Sequence, residues 1–367
     1  MQVRRADETG WGGAERYAEI IRPDPPSSDP AVGAVLYGTD DAREGVARVR
    51  GEAQTVVQRA LTREEGRMAE GLSDRGRPIY GPTPPGQGVP CSRQSPLTSA
   101  EVAEVAAVIA GARRGRHAAE LPERLRTRDW DSVVAVLLAV DESLVLSGSG
   151  RAGAGRAGAG WKIGAASDEI RRAERLPGPS PGIIYAHTIF PSGARLPAEL
   201  FINYRCCECE FAFRLGRDFP ARDEPYTEAD ARAGIDCLFP ALEIGDTVFR
   251  DWYGSSGYYG TCLDNGGGAA LVCGPETRAW RDLDLPAAGM DASLNGQYIK
   301  SGRGRAAMGH PVTSLTWMLN WARAHGRAVR AGDIVSTGTC TGHLFAAPGD
   351  TVRADFGPLG VVETHFA

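Results

Sequence analysis

Lysine is almost missing from this chain. Of its 41 basic side chains only Lys162 and Lys300 are lysines, and the other thirty-nine are arginines. An ammonium retained in such a sequence invites a chemical reason, because lysine can give up a proton and arginine cannot readily do so. A surplus of positive charge is missing too. The formal net charge is −5, and no cluster of basic residues is interleaved with aromatics, which argues against a nucleic-acid partner. No apolar run reaches membrane-spanning length, and the opening MQVRRADETGW leads into no signal-peptide core. The expectation is a cytoplasmic protein without a membrane partner. A zinc pattern is also absent. Cys206 and Cys209 form one CxxC, but Cys237, Cys262, Cys273 and Cys340 stand singly, without the second pair or nearby histidines of a structural zinc site. These read as reduced thiols acting as small hydrophobes.

With 367 residues, 42% of them hydrophobic, the chain has ample material for a core. Residues 1–95 are rich in Pro, Gly, Arg and acids, with RPDPPSSDP and YGPTPPGQGVP bracketing one helical stretch, and read as a partly helical N-terminal arm. The segment GRPIYGPTPPGQG is faintly similar to the tyrosine-bearing loop of aromatic ammonia-lyases, but the Ala-Ser-Gly tripeptide that builds their prosthetic group is nowhere in the chain. The second region, 96–367, opens on LTSAEVAEVAAVIAGARRG, where Thr98 and Glu101 form a capping-box pattern and Val102, Val105, Ala106 and Ile109 recur at helical spacing. Another helix follows at DWDSVVAVLLAVDESL, then a tandem RAGAG that reads as a flexible surface loop. Beyond Lys162 the texture becomes short β runs: GIIYAHTIF, ELFINY, CECEFAF, DIVSTG, TVRADF and GVVETHF. Two helices interrupt them, TEADARAGIDCLF with Thr227 and Asp230 as a capping pair, and HPVTSLTWMLNWARAHG ended by Gly326. The pattern predicts a β-rich α+β body.

In RCCECEFAF, Glu208 and Glu210 lie two apart, so a strand would project both carboxylates from one face and turn Cys207, Cys209 and Phe211 to the other. Glu243 sits in the apolar stretch FPALEIGD. Like charges side by side repel, and a cation between them removes the cost. Hard oxygen ligands without histidine or thiolate suit magnesium or manganese. Spacing alone also fits a solvated strand face with a lone exposed glutamate.

From about residue 97 onward the chain resembles the fumarylacetoacetate hydrolase superfamily, and within it the branch of 2-keto-4-pentenoate hydratases and 4-oxalocrotonate decarboxylases. The resemblance rests on ordered segments: WKIGAAS, ECEFAFRLGRDF, FPALEIGD, FRDW, LDNGGG, SGRGRAAMGHPVTSLTWMLNWARAHG, RAGDIVSTGT and APGDTVRADFGPLGVVETHF. It implies the family's mixed β-roll with flanking helices, and it implies Glu208, Glu210 and Glu243 as ligands of a divalent ion, Mg2+ or Mn2+. It further implies an active-site Lys162 that grips a substrate carboxylate or shuttles a proton, substrate contacts from Asp264, Asn265, Gly267, Thr337 and Gly338, and assembly into a homo-oligomer. The ion would chelate a 2-oxo acid and stabilise the enolate that forms when a proton moves or a neighbouring bond breaks. Burial near a dication would lower the Lys162 pKa. Lys300, in the polar turn NGQYIKSGRG, reads as a surface survivor.

Two departures stand out. Where the hydratases carry an acidic residue, this chain places His187 in IIYAHTIF, either as a general acid or base or as a hydrogen-bonded strand histidine. Where they carry DNAS, it reads DNGGG, and Gly267 has no hydroxyl; the glycines at 266–268 would enlarge the pocket. His310, before a helix, reads as structural. The expectation is a metal-dependent lyase, hydratase or decarboxylase, for a 2-oxo or 2-hydroxy-dienoic acid or related dicarbonyl compound. The alternatives are a C–C hydrolase, a biosynthetic tailoring enzyme of the same superfamily, or a non-catalytic binding subunit.

Overall fold

The computed structural model describes residues 93–146, 158–249 and 257–367, which fall within one compact unit, Tyr80–Ala367. The helical stretch expected in the N-terminal arm and most of the RAGAG loop lie outside the described residues. Helix α1, Ser99–Gly115, begins where the capping box predicts: Thr98 accepts from the Glu101 N–H while the Glu101 carboxylate accepts from the Thr98 N–H. It buries Val105 and Ile109 against α2, Trp130–Leu146, in a small helical core.

In chain order there follow β1 (Gly158–Gly164), α3 (Asp168–Glu174), β2 (Ser180–Tyr185), β3 (Ile189–Pro191), β4 (Ala194–Leu196) and β5 (Cys206–Leu215). Then come α4 (Glu228–Gly234), β6 (Ile235–Gly245), α5 (Gly257–Leu263), β7 (Gly268–Cys273), β8 (Gly289–Leu294) and β9 (Gln297–Arg303). The chain closes with α6 (Pro311–Ala324), β10 (Ile334–Ser336), β11 (Leu344–Phe345), β12 (Thr351–Asp355) and β13 (Val361–Phe366). The strands form a mixed eight-stranded sheet, ordered β2-β1-β10-β5-β6-β7-β3 with β11 also on β5, and a five-stranded sheet ordered β4-β13-β12-β8-β9. One core joins them: Phe211, Phe213 and Leu242 of the large sheet, Val352 and Phe366 of the small one, and Leu315 and Leu319 of α6 are buried together. Each such side chain contributes about 1.5–3 kcal/mol relative to its exposed state. This is the expected α+β roll, and the thiols Cys206, Cys207, Cys209, Cys237, Cys262 and Cys340 are free and buried within it.

Three local expectations are corrected. The helix predicted over TEADARAGIDCLF stops at Gly234, and IDCLF instead opens β6, whose pairing with β5 overrides helical propensity. A Cβ at Gly234 would meet the Phe219 ring at 2.2 Å, so the chain must turn there without a side chain. The run ELFINY is not a strand, because the Asp246 carboxylate takes the N–H groups of Ile202, Asn203 and Tyr204 that a ladder would need. Finally, GIIYAHTIF breaks after Tyr185 into a single 3-10 turn, closed by the Thr188 hydroxyl donating to the Tyr185 carbonyl.

Candidate metal centre

The two central strands of the large sheet bring the three glutamates together. Antiparallel pairing sets Glu208 of β5 directly opposite Glu243 of β6, while Glu210 lies two residues along on the same face as Glu208. One oxygen from each carboxylate falls within 4.8 Å of the others. At that separation two unit charges repel by about 3.5 kcal/mol for an effective dielectric near 20. Burial makes the clash worse, since Glu210 is 0% and Glu243 3% exposed. It pushes the Glu210 carboxyl well above the usual range, helped by Glu243 and Glu208 and opposed by hydrogen bonds from Ser336 and Gly338. Glu243 is pushed up as well, by burial first, with Lys162 pulling only partly against it. Glu208 goes the other way: burial raises it, but His343, Lys162 and Lys300 outweigh that and hold it low.

Lys162 enters from β1. Register sets it between Gly182 of β2 and Ser336 of β10, and its Nζ lies 2.9 Å from Glu243 Oε1 and donates to the Gly266 carbonyl. Its stem fills a slot cut by glycines. A Cβ at Gly182 would stand 2.8 Å from its Cε, and one at Gly266 would stand 2.9 Å from the same atom. The glycines at 266–268 were expected to enlarge the pocket; they line the small cavities beside Lys162 and Glu243, while Lys162 takes the room beside Gly266, and Thr261 Cγ2 would meet a Gly267 Cβ at 3.0 Å. Gly266 and Gly267 also have φ of +58° and +76°, a region that serine enters only with strain. Burial depresses the ammonium, but Glu243, Glu208 and Glu210 together raise it above its ordinary pKa; a dication held among those carboxylates would offset that pull.

The other expected site residues divide. Gly338 is in the site, its N–H donating to Glu210 Oε2 at 2.9 Å, with φ of +102°. Asp264, for which the resemblance implies a substrate contact, has its carboxylate engaged by Arg113 of α1, the Thr247 hydroxyl and the Val248 N–H. It therefore anchors the loop after β6 to the helical layer. Asn265 clamps β2 through both the N–H and the carbonyl of Ile183, which fixes the neighbouring Gly266 carbonyl that Lys162 uses. Thr337 donates to the Phe211 carbonyl and is fully buried. His187, read either as a general acid or base or as a hydrogen-bonded strand histidine, stands exposed on the 3-10 turn, its ring 5.9 Å from that of Tyr185, and Thr188 beside it lines the small cavity next to Lys162 and Glu243. His310 caps α6 by accepting from the Val312 N–H, as expected.

Sequence reading missed three residues. Ser336 donates to Glu210 Oε2. His343 Nε2 lies 3.2 Å from Glu208 Oε1. Lys300, expected at the surface, is half-buried and donates to the His343 carbonyl. The visible signal was the polar run STGTCTGH, whose approach to β5 only tertiary pairing reveals. A cavity of about 30 Å³ runs between Glu208, Glu243, Lys162, Tyr258, Thr339 and His343, room for a particle the size of a water or an ion.

The carboxylates fit a hard divalent ion. Glu210 Oε1 and Glu243 Oε2 are buried without a hydrogen-bond donor, in an all-oxygen set whose mutual repulsion a dication would relieve. Residues 169–367, over half of the chain, match the family model described as the fumarylacetoacetate hydrolase C-terminal region. A 2-keto-4-pentenoate hydratase of Burkholderia vietnamiensis is 30% identical over 207 residues, covering 56% of this chain and 77% of that protein. The 2-keto-4-pentenoate hydratase 1 of Dechloromonas aromatica is 29% identical over 253 residues, 69% of this chain and 92% of that protein. In fold the chain is similar to 4-oxalocrotonate decarboxylase from Pseudomonas putida G7, solved with magnesium and adipate, with a TM-score of 0.66 at 21% identity, over 75% of this chain and 100% of that one. The chain thus belongs to the fumarylacetoacetate hydrolase family, with 2-keto-4-pentenoate hydratases among its relatives.

Proposed function

We propose that this chain is a divalent-metal-dependent lyase, of hydratase or decarboxylase type, acting on a 2-oxo or 2-hydroxy-dienoic acid or a related dicarbonyl compound. The observation that carries the reading is the convergence of Glu208, Glu210 and Glu243 around a cavity shared with the buried Lys162. Glu208, Glu210 and Glu243 would hold the ion, magnesium or manganese. Such an ion supplies Lewis acidity to a 2-oxo acid, stabilising the negative charge of a developing enolate.

The chain's own groups supply the rest. Lys162 balances Glu243 and, with two of its three donors on Glu243 and the Gly266 carbonyl, keeps one for a substrate carboxylate or a moving proton. Ser336 and Gly338 fix Glu210 through one oxygen and leave the other for the ion. The glycine slot holds the Lys162 stem in a single path, so its ammonium is positioned before substrate arrives. A non-catalytic subunit would have no use for a buried trio of carboxylates with so little cationic company. We further propose that residues 96–367 are the catalytic domain, and that the protein works in the cytoplasm as a homo-oligomer.

The test is incubation of metal-stripped protein, with and without magnesium or manganese, against a panel of 2-hydroxydienoates and 2-oxo acids, followed by mass spectrometry. A metal-dependent gain of water identifies a hydratase, and loss of carbon dioxide a decarboxylase. Equal turnover with and without metal would overturn the reading.

A further inference from the structure

The segment between β10 and β11 behaves as a strap across β5. β10 pairs with Ala212–Arg214 and β11 with Cys206–Cys207, so the two short strands are the ends of a single antiparallel partner. Between them the backbone keeps only part of the ladder, with the Thr337 N–H on the Phe211 carbonyl and the Cys340 N–H on the Cys209 carbonyl. This interruption faces the stretch that carries Glu208 and Glu210. One end of the strap holds Glu210, through the Ser336 hydroxyl and the Gly338 N–H. At its other end the His343 ring meets Glu208 Oε1 at 3.2 Å.

The strap is braced from the second sheet. Lys300 on the edge strand β9 reaches across to donate to the His343 carbonyl. Two residues on, and therefore on the same side of that strand, Gly302 presses so closely on the strap that a Cβ there would lie 2.1 Å from the Cys340 carbonyl oxygen. Two independent contacts thus fix the position of the strap's C-terminal half.

We infer that His343, braced by Lys300, is a positioning residue for the metal centre: its Nε2–H holds one oxygen of Glu208 and presents the other to the ion. An ionised carboxylate can only accept, so the ring must carry its proton on Nε2 for the contact to be a bond. Glu208 is the most exposed of the three, its side chain 15% accessible, and so the one with most freedom to turn away. Outer partners of this kind orient ligands, and their loss typically weakens metal binding 10- to 100-fold. The inference rests on the metal reading above and adds a residue outside the carboxylate trio.

Calorimetric titration of the metal-stripped full chain with manganese tests it, comparing wild type, His343→Ala, His343→Gln and Lys300→Met, with circular dichroism to confirm that each is folded. The expected result is a Kd roughly 10-fold or more weaker for His343→Ala, partial recovery in His343→Gln, whose amide N–H can replace Nε2–H, and a smaller loss in Lys300→Met. A His343→Ala protein that binds manganese as tightly as wild type overturns the inference while leaving the metal reading standing. His343→Gln as weak as His343→Ala also counts against it, since a mere packing role would not distinguish a donor. A wild type that takes up no manganese overturns both.

Discussion

The two lysines of this chain face the same cluster from opposite sheets and are used in opposite ways. Lys162 is 4% exposed, on an inner strand of the large sheet, and balances side-chain charge directly by pairing with Glu243. Lys300 is half-buried on the edge strand of the small sheet and orders backbone, by holding the carbonyl of His343. Their environments move them apart. Burial disfavours both ammonium ions, but three nearby carboxylates more than compensate at Lys162 and raise it, whereas at Lys300 burial outweighs the pull of Glu208 and it is lowered. Residue type alone decides little; the number of carboxylates within reach decides which ammonium serves chemistry and which serves architecture.

The largest effect should come from breaking the inner member. Lys162→Met leaves Glu243 without its cation in a buried site, and turnover should fall by at least 100-fold, measured as kcat/KM on whichever acid the panel identifies. Lys162→Arg should not rescue it, because the slot between Gly182 and Gly266 fits an alkyl stem and a compact ammonium, not a planar fork. A fully active arginine variant would mean that Lys162 serves only as a charge. The slot itself can be attacked: a Cβ at Gly182 would meet the Asn265 carbonyl oxygen at 2.6 Å, so Gly182→Ala should cost about 1–3 kcal/mol in denaturant unfolding and reduce turnover together. At the outer lysine, Gly302→Ala is the matching lesion. It should destabilise by a similar 1–3 kcal/mol, because backbone rather than a flexible side chain stands in the way, but its effect on turnover should be smaller than that of Gly182→Ala, since it displaces the brace and not the ammonium.

The inner half of this comparison was legible in the sequence and the outer half was not. Lys162 stands out by the scarcity of lysine, and the alternation that puts Glu208 and Glu210 on one face can be read from local pattern, because strand geometry alone fixes the parity of side chains. That Glu243 lies opposite Glu208 is a matter of register between strands, which no short window contains. His343 and Lys300 were invisible for a stronger reason: they are 43 residues apart, one in the loop before β11 and the other on β9 of the small sheet, and meet through a main-chain carbonyl that carries no sequence signature. Asp264 and Asn265 show another limit of local pattern: the resemblance implies that they touch substrate, and only the fold reveals that they also tie the loop to Arg113 and to β2, the loop geometry that lets Lys162 find its acceptor. The helix that ended early at Gly234 was overruled likewise, by a partner strand distant in sequence.

The smallest effect is the most direct comparison of the two amines. A chain with only two lysines lets an amine-acylating reagent be mapped by mass spectrometry without ambiguity. Only the neutral amine reacts, so as pH rises toward the ordinary lysine range near 10.4 the group with the lowered pKa should label first. That group is Lys300, which is also the more exposed, so the folded protein should acquire label there while Lys162 stays protected, and unfolded protein should label both alike. The signs carry over to stability. Lys162, raised in the fold, contributes stability that is present below its unfolded value and is lost as pH climbs through the higher folded value; Lys300, lowered, costs stability while charged and is relieved as pH rises past its folded value. Exposure alone could favour Lys300, so the rates are compared at two pH values. An accessibility difference keeps the ratio of the two rates constant, whereas opposed pKa shifts make that ratio fall as pH rises and the Lys300 amine approaches full deprotonation first.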